Sequence, residues 1–129
     1  MNQELALNIL KTGKNVFLTG EPGSGPTYTI NTYVRLLKDA NIDVAITAST
    51  GIAATHISGM TIHSWSGVGI HEELSKAEIN KIAKKSHVKK RVKNADVLII
   101  DEISMLSAAT LDLVDTICRT VRKNTKSFG

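Results

Sequence analysis

Cysteine is almost missing from this chain: Cys118 stands alone among 129 residues. One thiol excludes an internal disulfide framework and a zinc site built from several cysteines. Long apolar runs are missing as well. No stretch approaches the ~18 residues of a membrane span, so no membrane partner is expected. The N-terminus lacks the basic, apolar and small-residue succession of a secretory signal, and the expected setting is reducing and intracellular, in cytoplasm or nucleus. His56, His63, His71 and His87 show no regular metal spacing and have no cysteine partner. Internal repeats and low-complexity linkers are lacking too. What remains is an ordinary globular composition, with 42% apolar and 22% charged residues, enough for one domain with a modest core.

Charge is unevenly placed. Between Lys81 and Lys93 lie Lys81, Lys84, Lys85, Lys89, Lys90, Arg91 and Lys93, without a single acid or aromatic residue. The other nine basic residues face twelve acidic ones, so the net +4 of the chain belongs to this segment and the rest stands at −3. Such a local excess suits a polyanion's phosphates, read without sequence preference. A solvated helix face and loop would carry the same residues. Base stacking in this segment has no aromatic residue to support it.

Helical spacing and short apolar runs alternate along the chain. Gln3 to Thr12, with Leu5, Leu7, Ile9 and Leu10, predicts a first helix. Val16-Phe17-Leu18 reads as a buried strand ending at Gly20. Thr27 to Lys38 places Ile30, Val34 and Leu37 on one helical face. Val44-Ala45-Ile46 predicts a strand that ends in the Ser49-Thr50-Gly51 turn, and Ile52 to His56 a brief helix. Gly59 to Gly69 reads as loop around Trp65. Ser75 to Lys85 predicts an amphipathic basic helix with Ser75 as its N-cap. Val97 to Ile100 is the clearest strand, and Ser107 to Val121 a closing helix with Leu111, Val114, Ile117 and Val121 on one face. Met60 and Met105 read as core filler. Short, wholly apolar strands between helices imply an α/β fold with a parallel sheet covered on both sides.

Gly20-Glu21-Pro22-Gly23-Ser24-Gly25-Pro26-Thr27 lies between the first predicted strand and a helix. It fits Gly-x-x-x-x-Gly-Lys-Ser/Thr except that Pro26 takes the lysine position. The glycines let the backbone curl so that its N–H groups converge on phosphate oxygens. The next helix aims its positive end at the same place, and the Thr27 hydroxyl would meet Mg²⁺. Pro26 removes both the ammonium and a backbone N–H, although proline suits a first helical turn. The fold can survive this change while the chemistry fails.

The Val97–Ile100 run ends in Asp101-Glu102. In a phosphate-loop enzyme the first carboxylate holds the Mg²⁺ shell and the second polarises the attacking water. These motifs stand in order with Asn15–Gly20, Thr47-Ala48-Ser49-Thr50-Gly51-Ile52-Ala53-Ala54, Gly59–Gly67 and Asp101–Leu106. In that order they resemble the Pif-like and RecD-like helicases of superfamily one, from about Gln3 to the last residue. The resemblance implies a truncated RecA-like P-loop NTPase core, the N-terminal part of a first motor domain spanning 1–129. It implies ATP and Mg²⁺ as cofactors, ATP hydrolysis, and 5′-to-3′ travel on single-stranded DNA. It places Gln3 on the adenine edge, Thr50 and Gly51 on the DNA backbone, and Thr61, His63 and Ser64 near that strand. Lys84, Lys85, Lys89, Lys90 and Arg91 join them as candidate phosphate contacts. Trp65 is read as a packing anchor before a base-stacking platform.

Two departures from the family pattern bear on activity. The loop lysine is missing, and the family's glutamine sensor, its terminal-phosphate arginine and its second motor domain do not follow within these residues. In such a sheet the next strand inserts beside the acidic-pair strand. The expectation is therefore an incomplete sheet whose open position invites self-association. A non-catalytic nucleotide- or DNA-binding module, or an inactive remnant, is the alternative to a working motor segment.

Overall fold

A computed structural model describes residues 3–19 and 26–129, without the side chains of Gln3 and of residues 26–28. The phosphate loop expected at Gly20–Gly25, and the roles expected of the Gln3, Pro26 and Thr27 side chains, lie outside the described residues. Two compact units form, Met1–Asp43 and Val44–Gly129.

The first unit holds two helices, α1 (Gln3–Leu10) and α2 (Pro26–Asp39). They pack on each other, and Ala6, Leu10, Tyr33 and Leu37 are buried. Leu37 of the expected α2 face is buried, while Ile30 and Val34 are half-buried. The strand expected at Val16–Leu18 is not there. These residues have no regular structure, and Val16 and Phe17 are 39% and 70% exposed. Three apolar residues carry no hydrogen bonds among themselves, and a strand exists only where a neighbour completes its ladder.

The second unit runs β1 (Val44–Ala48), α3 (Gly51–His56), β2 (Met60–Thr61), α4 (Ile62–Ser66), α5 (Lys76–Lys84), α6 (Ser86–Asn94), β3 (Val97–Asp101), a single 3₁₀ turn (Ile103–Met105) and α7 (Ala108–Arg122). Its sheet is parallel throughout, in the order β2-β1-β3. Val44 to Ala48 pair residue by residue with Val97 to Asp101. Side chains alternate along a strand, so Ala45 and Leu98 share one face with Thr47 and Ile100. That face meets a core of Ile62, Trp65, Val68, Val88, Val114 and Ile117 supplied by α4 to α7. On the opposite face Val44, Ile46, Val97 and Ile99 stay half-buried. Among the described residues the outer edge of β3 has no strand partner.

Three sequence expectations change here. Gly59 to Gly69 is structured, because Thr61 caps α4 and Gly67 ends it in the left-handed conformation at φ 80°. A Cβ on Gly67 would lie 2.8 Å from both Ile82 and Val88 side chains, so glycine is required for conformation and space alike. Residues 86–94 form α6, whose only buried positions are Val88 and Val92, one helical turn apart. Met105 is 68% exposed and fills no core, whereas Met60 packs against it. Ser75 caps α5 through a reciprocal pair of bonds with Glu78, at 3.1 Å and 3.0 Å. These bonds hold the Glu78 carboxyl below its ordinary range. Burial pushes the Cys118 thiol up to about 11, which makes it inert as a nucleophile.

Candidate functional site

Parallel strands bring their C-terminal ends to one edge of a sheet, and in open α/β sheets ligands bind there. β1 and β3 end level, with Ala48 opposite Asp101. The Ser49-Thr50-Gly51 turn and the Asp101-Glu102 pair are consequently neighbours. The contact between them is direct. The Ser49 N–H donates to the Asp101 carbonyl at 3.1 Å, and the Ser49 hydroxyl donates to the Glu102 carbonyl.

The carboxylates themselves reach solvent, since Asp101 and Glu102 are both exposed. Asp101 Oδ1 accepts the Glu102 N–H at 3.0 Å, which ties one carboxylate oxygen to the turn that follows. Glu102 sits in the left-handed region at φ 55°, ψ 44°, an uncommon position for a residue with a Cβ. Hard, exposed carboxylate oxygens at a sheet tip fit Mg²⁺. Among the described residues no cluster of three or more His, Cys, Asp and Glu could hold a metal ion by itself.

The residues expected near a DNA strand fall into two groups. Thr50 Oγ1 accepts the Ala53 N–H at 3.2 Å and caps α3. Thr61 Oγ1 accepts the Ser64 N–H at 3.2 Å and caps α4. Both hydroxyls keep a proton to donate. Gly51 is exposed and meets nothing within 4 Å of where a Cβ would stand. Ser64 is exposed and His63 half-buried, while Trp65 is 5% exposed and anchors the core. The second group lies on α5, α6 and their junction. Lys81, Lys84, Lys85, Lys89, Lys90 and Lys93 are all exposed. Among the described residues none of their ammonium groups makes an ion pair or hydrogen bond.

Arg91 departs from its neighbours. Its Nη1 donates to the carbonyls of Ser64 at 2.9 Å and Trp65 at 3.3 Å. A guanidinium at the C-terminal end of α4 meets carbonyls that lack helical partners and the negative end of the peptide dipoles. Arg91 thus ties the lysine-bearing α6 to the Thr61–Ser66 block. The sequence gives only its charge, and spacing along α6 does not distinguish it from the lysines. Ser49 is likewise passed over in the sequence, although it stands inside the Ala48-Ser49-Thr50-Gly51 block. A small polar residue after a buried strand position was the available signal.

A parallel sheet with a carboxylate pair at one strand end and a capped Ser-Thr-Gly turn at the next has the layout of a RecA-like nucleoside-triphosphatase core. Comparison with known proteins narrows the class. The family model for PIF1-like helicases matches residues 2–129, and the chain belongs to that family. It is 55% identical over its whole length to the ATP-dependent DNA helicase Pif1 of Psychrobacter sp. (strain PRwf-1), and spans 20% of that relative's length. Among solved structures, the Pif1 helicase from Candida albicans superposes with a TM-score of 0.87 at 35% identity, over 98% of this chain and 29% of that one. Bacteroides Pif1 has been solved bound to ssDNA and in complex with ADP-AlF4, with TM-scores of 0.72 and 0.73. It is 28% identical over 98% of this chain and 29% of its own.

Proposed function

We propose that residues 1–129 form the N-terminal part of the first RecA-like motor domain of a 5′-to-3′ DNA helicase. ATP with Mg²⁺ and single-stranded DNA are its ligands. The observation that carries the reading is the level ending of β1 and β3, with Ala48 opposite Asp101, because it makes a DNA-facing turn and a metal-binding carboxylate pair adjacent. In this reading Asp101 holds Mg²⁺ together with Thr27, Glu102 polarises the attacking water, and residues Gly20 to Thr27 wrap the phosphates. Gln3 meets the adenine edge. Thr50, Gly51, Thr61, His63 and Ser64 follow the DNA backbone, and Lys84, Lys85, Lys89 and Lys90 add phosphate contacts. The ssDNA and ADP-AlF4 complexes of Bacteroides Pif1 support both ligand classes.

Pro26 sets the catalytic level. A charge-assisted contact is worth about 1.5–3 kcal/mol in binding, and its loss falls on the phosphates where charge shifts during transfer. Turnover by the chain as it stands is expected to be near background. Replacing Pro26→Lys should tighten ATP·Mg²⁺ binding by about tenfold or more on that energy scale. Titration calorimetry and a phosphate-release assay with and without single-stranded DNA check this. Robust hydrolysis by the unaltered chain would refute the disabled site.

A second reading is a binding module that retains DNA affinity without turnover. The lysines of α5 and α6, exposed and unpaired among the described residues, favour it. The outer edge of β3, without a strand partner among the described residues, also suits self-association by strand pairing.

A further inference from the structure

Ser49 joins the turn proposed to face DNA to the carboxylate pair by two hydrogen bonds. It is 6% exposed, so its hydroxyl is a structural donor and not a solvent group. Its N–H continues the β1–β3 ladder to the Asp101 carbonyl at 3.1 Å, and its hydroxyl reaches one peptide further, to Glu102. The Glu102 carbonyl also accepts the Met105 N–H at 3.1 Å. These two bonds hold a left-handed backbone at a residue with a Cβ, a conformation that is unfavourable where nothing supports it.

The other side of Ser49 is equally tight. Thr50 follows directly, with its side chain bonded to the Ala53 N–H at 3.2 Å and its carbonyl to the Ala54 N–H at 2.9 Å. No spare residue separates the anchor on Glu102 from the anchor on α3. A displacement of Thr50 is therefore passed to the Glu102 peptide and not absorbed by slack.

We propose that Ser49 is a positioning residue: its hydroxyl sets the Glu102 backbone and transmits occupancy of the Thr50–Gly51 turn by single-stranded DNA to the carboxylate pair. This rests on the DNA reading of that turn given above. Thr47 provides an internal contrast, because its hydroxyl also crosses to β3, donating to the Ile99 carbonyl at 2.8 Å, but has no bond to the Glu102 turn.

The test is an oligothymidine titration of the isotope-labelled chain, following backbone amide shifts. Thr50 and Gly51 should move, and Glu102 should move with the same saturation curve. In Ser49→Ala the Thr50 and Gly51 shifts remain and the Glu102 response is lost. Ser49→Cys keeps a side chain of similar size with a weaker donor, serves if Ser49→Ala does not fold, and should also lose it. Thr47→Val should keep the Glu102 response despite losing a cross-strand bond. A silent Glu102 in the unaltered chain while Thr50 shifts, a response that persists in both Ser49 variants, or an equal loss in Thr47→Val overturns the assignment. No shift at Thr50 or Gly51 overturns the DNA reading, and the inference with it.

Discussion

The Thr50–Ser64 turns and the lysines of α5 and α6 are both candidates for a DNA strand, yet they are built in opposite ways. The turns are committed. Thr50 and Thr61 cap helices, and Arg91 holds the far end of α4. The lysines are uncommitted, exposed and unpaired among the described residues. The difference separates two jobs: committed groups fix a shape that a backbone can follow, and uncommitted charges supply salt-sensitive attraction. Stability should therefore depend on the first set, and salt dependence on the second.

Neutralising Lys84, Lys85, Lys89 and Lys90 to alanine gives the largest expected effect. At about 0.7 per single-strand phosphate contact, the slope of log affinity against log salt should flatten by about 3. Urea unfolding should stay where it was, since no intramolecular pair is removed. An unchanged slope, read by fluorescence anisotropy over a salt series, would place the strand elsewhere. Next comes Arg91→Gln. Its bonds to Ser64 and Trp65 predict a loss of about 1.5–3 kcal/mol in unfolding free energy, with the salt slope left nearly intact. If the slope instead drops as it does for a lysine, Arg91 belongs with the uncommitted charges. The smallest change is Thr61→Val, which removes the α4 cap and should cost about 1 kcal/mol. Stability equal to the unaltered chain would show that the cap is not what holds that turn.

Much of this was legible in the sequence where local chemistry decides. The Ser75 cap, the apolar β3 run and the extent of α7 follow from side-chain type and period, and they appear with boundaries within a residue or two. Of the expected α7 face Val114, Ile117 and Val121 are buried, and Leu113 and Cys118 take the place given to Leu111. Val16–Leu18 was misread because strand formation depends on a partner that three apolar residues do not name. Helix α6 was missed because six of its nine residues are polar or charged surface positions, and only Val88 and Val92 mark its inner side. The 59–69 segment looked like loop for its glycines, although Gly67 is there to end a helix. Of the candidate site, the carboxylates and the Ser-Thr-Gly block could be read by pattern. The Ser49–Glu102 and Arg91–Ser64 bonds join residues 53 and 27 positions apart, a separation that no local pattern encodes.

Arg91 is not the only arginine placed this way. Arg122, near the end of α7, donates to the Val92 carbonyl at 3.0 Å and to that of Ala95, closing α6 as Arg91 closes α4. Each clasp is written later in the chain than the helix it fastens. As the polypeptide leaves the ribosome, α4 is already out while its fastener lies 27 residues behind, and α6 waits as long for its own. The lysine-bearing α6 is therefore secured from its trailing end, and α7 is the piece that locks the series.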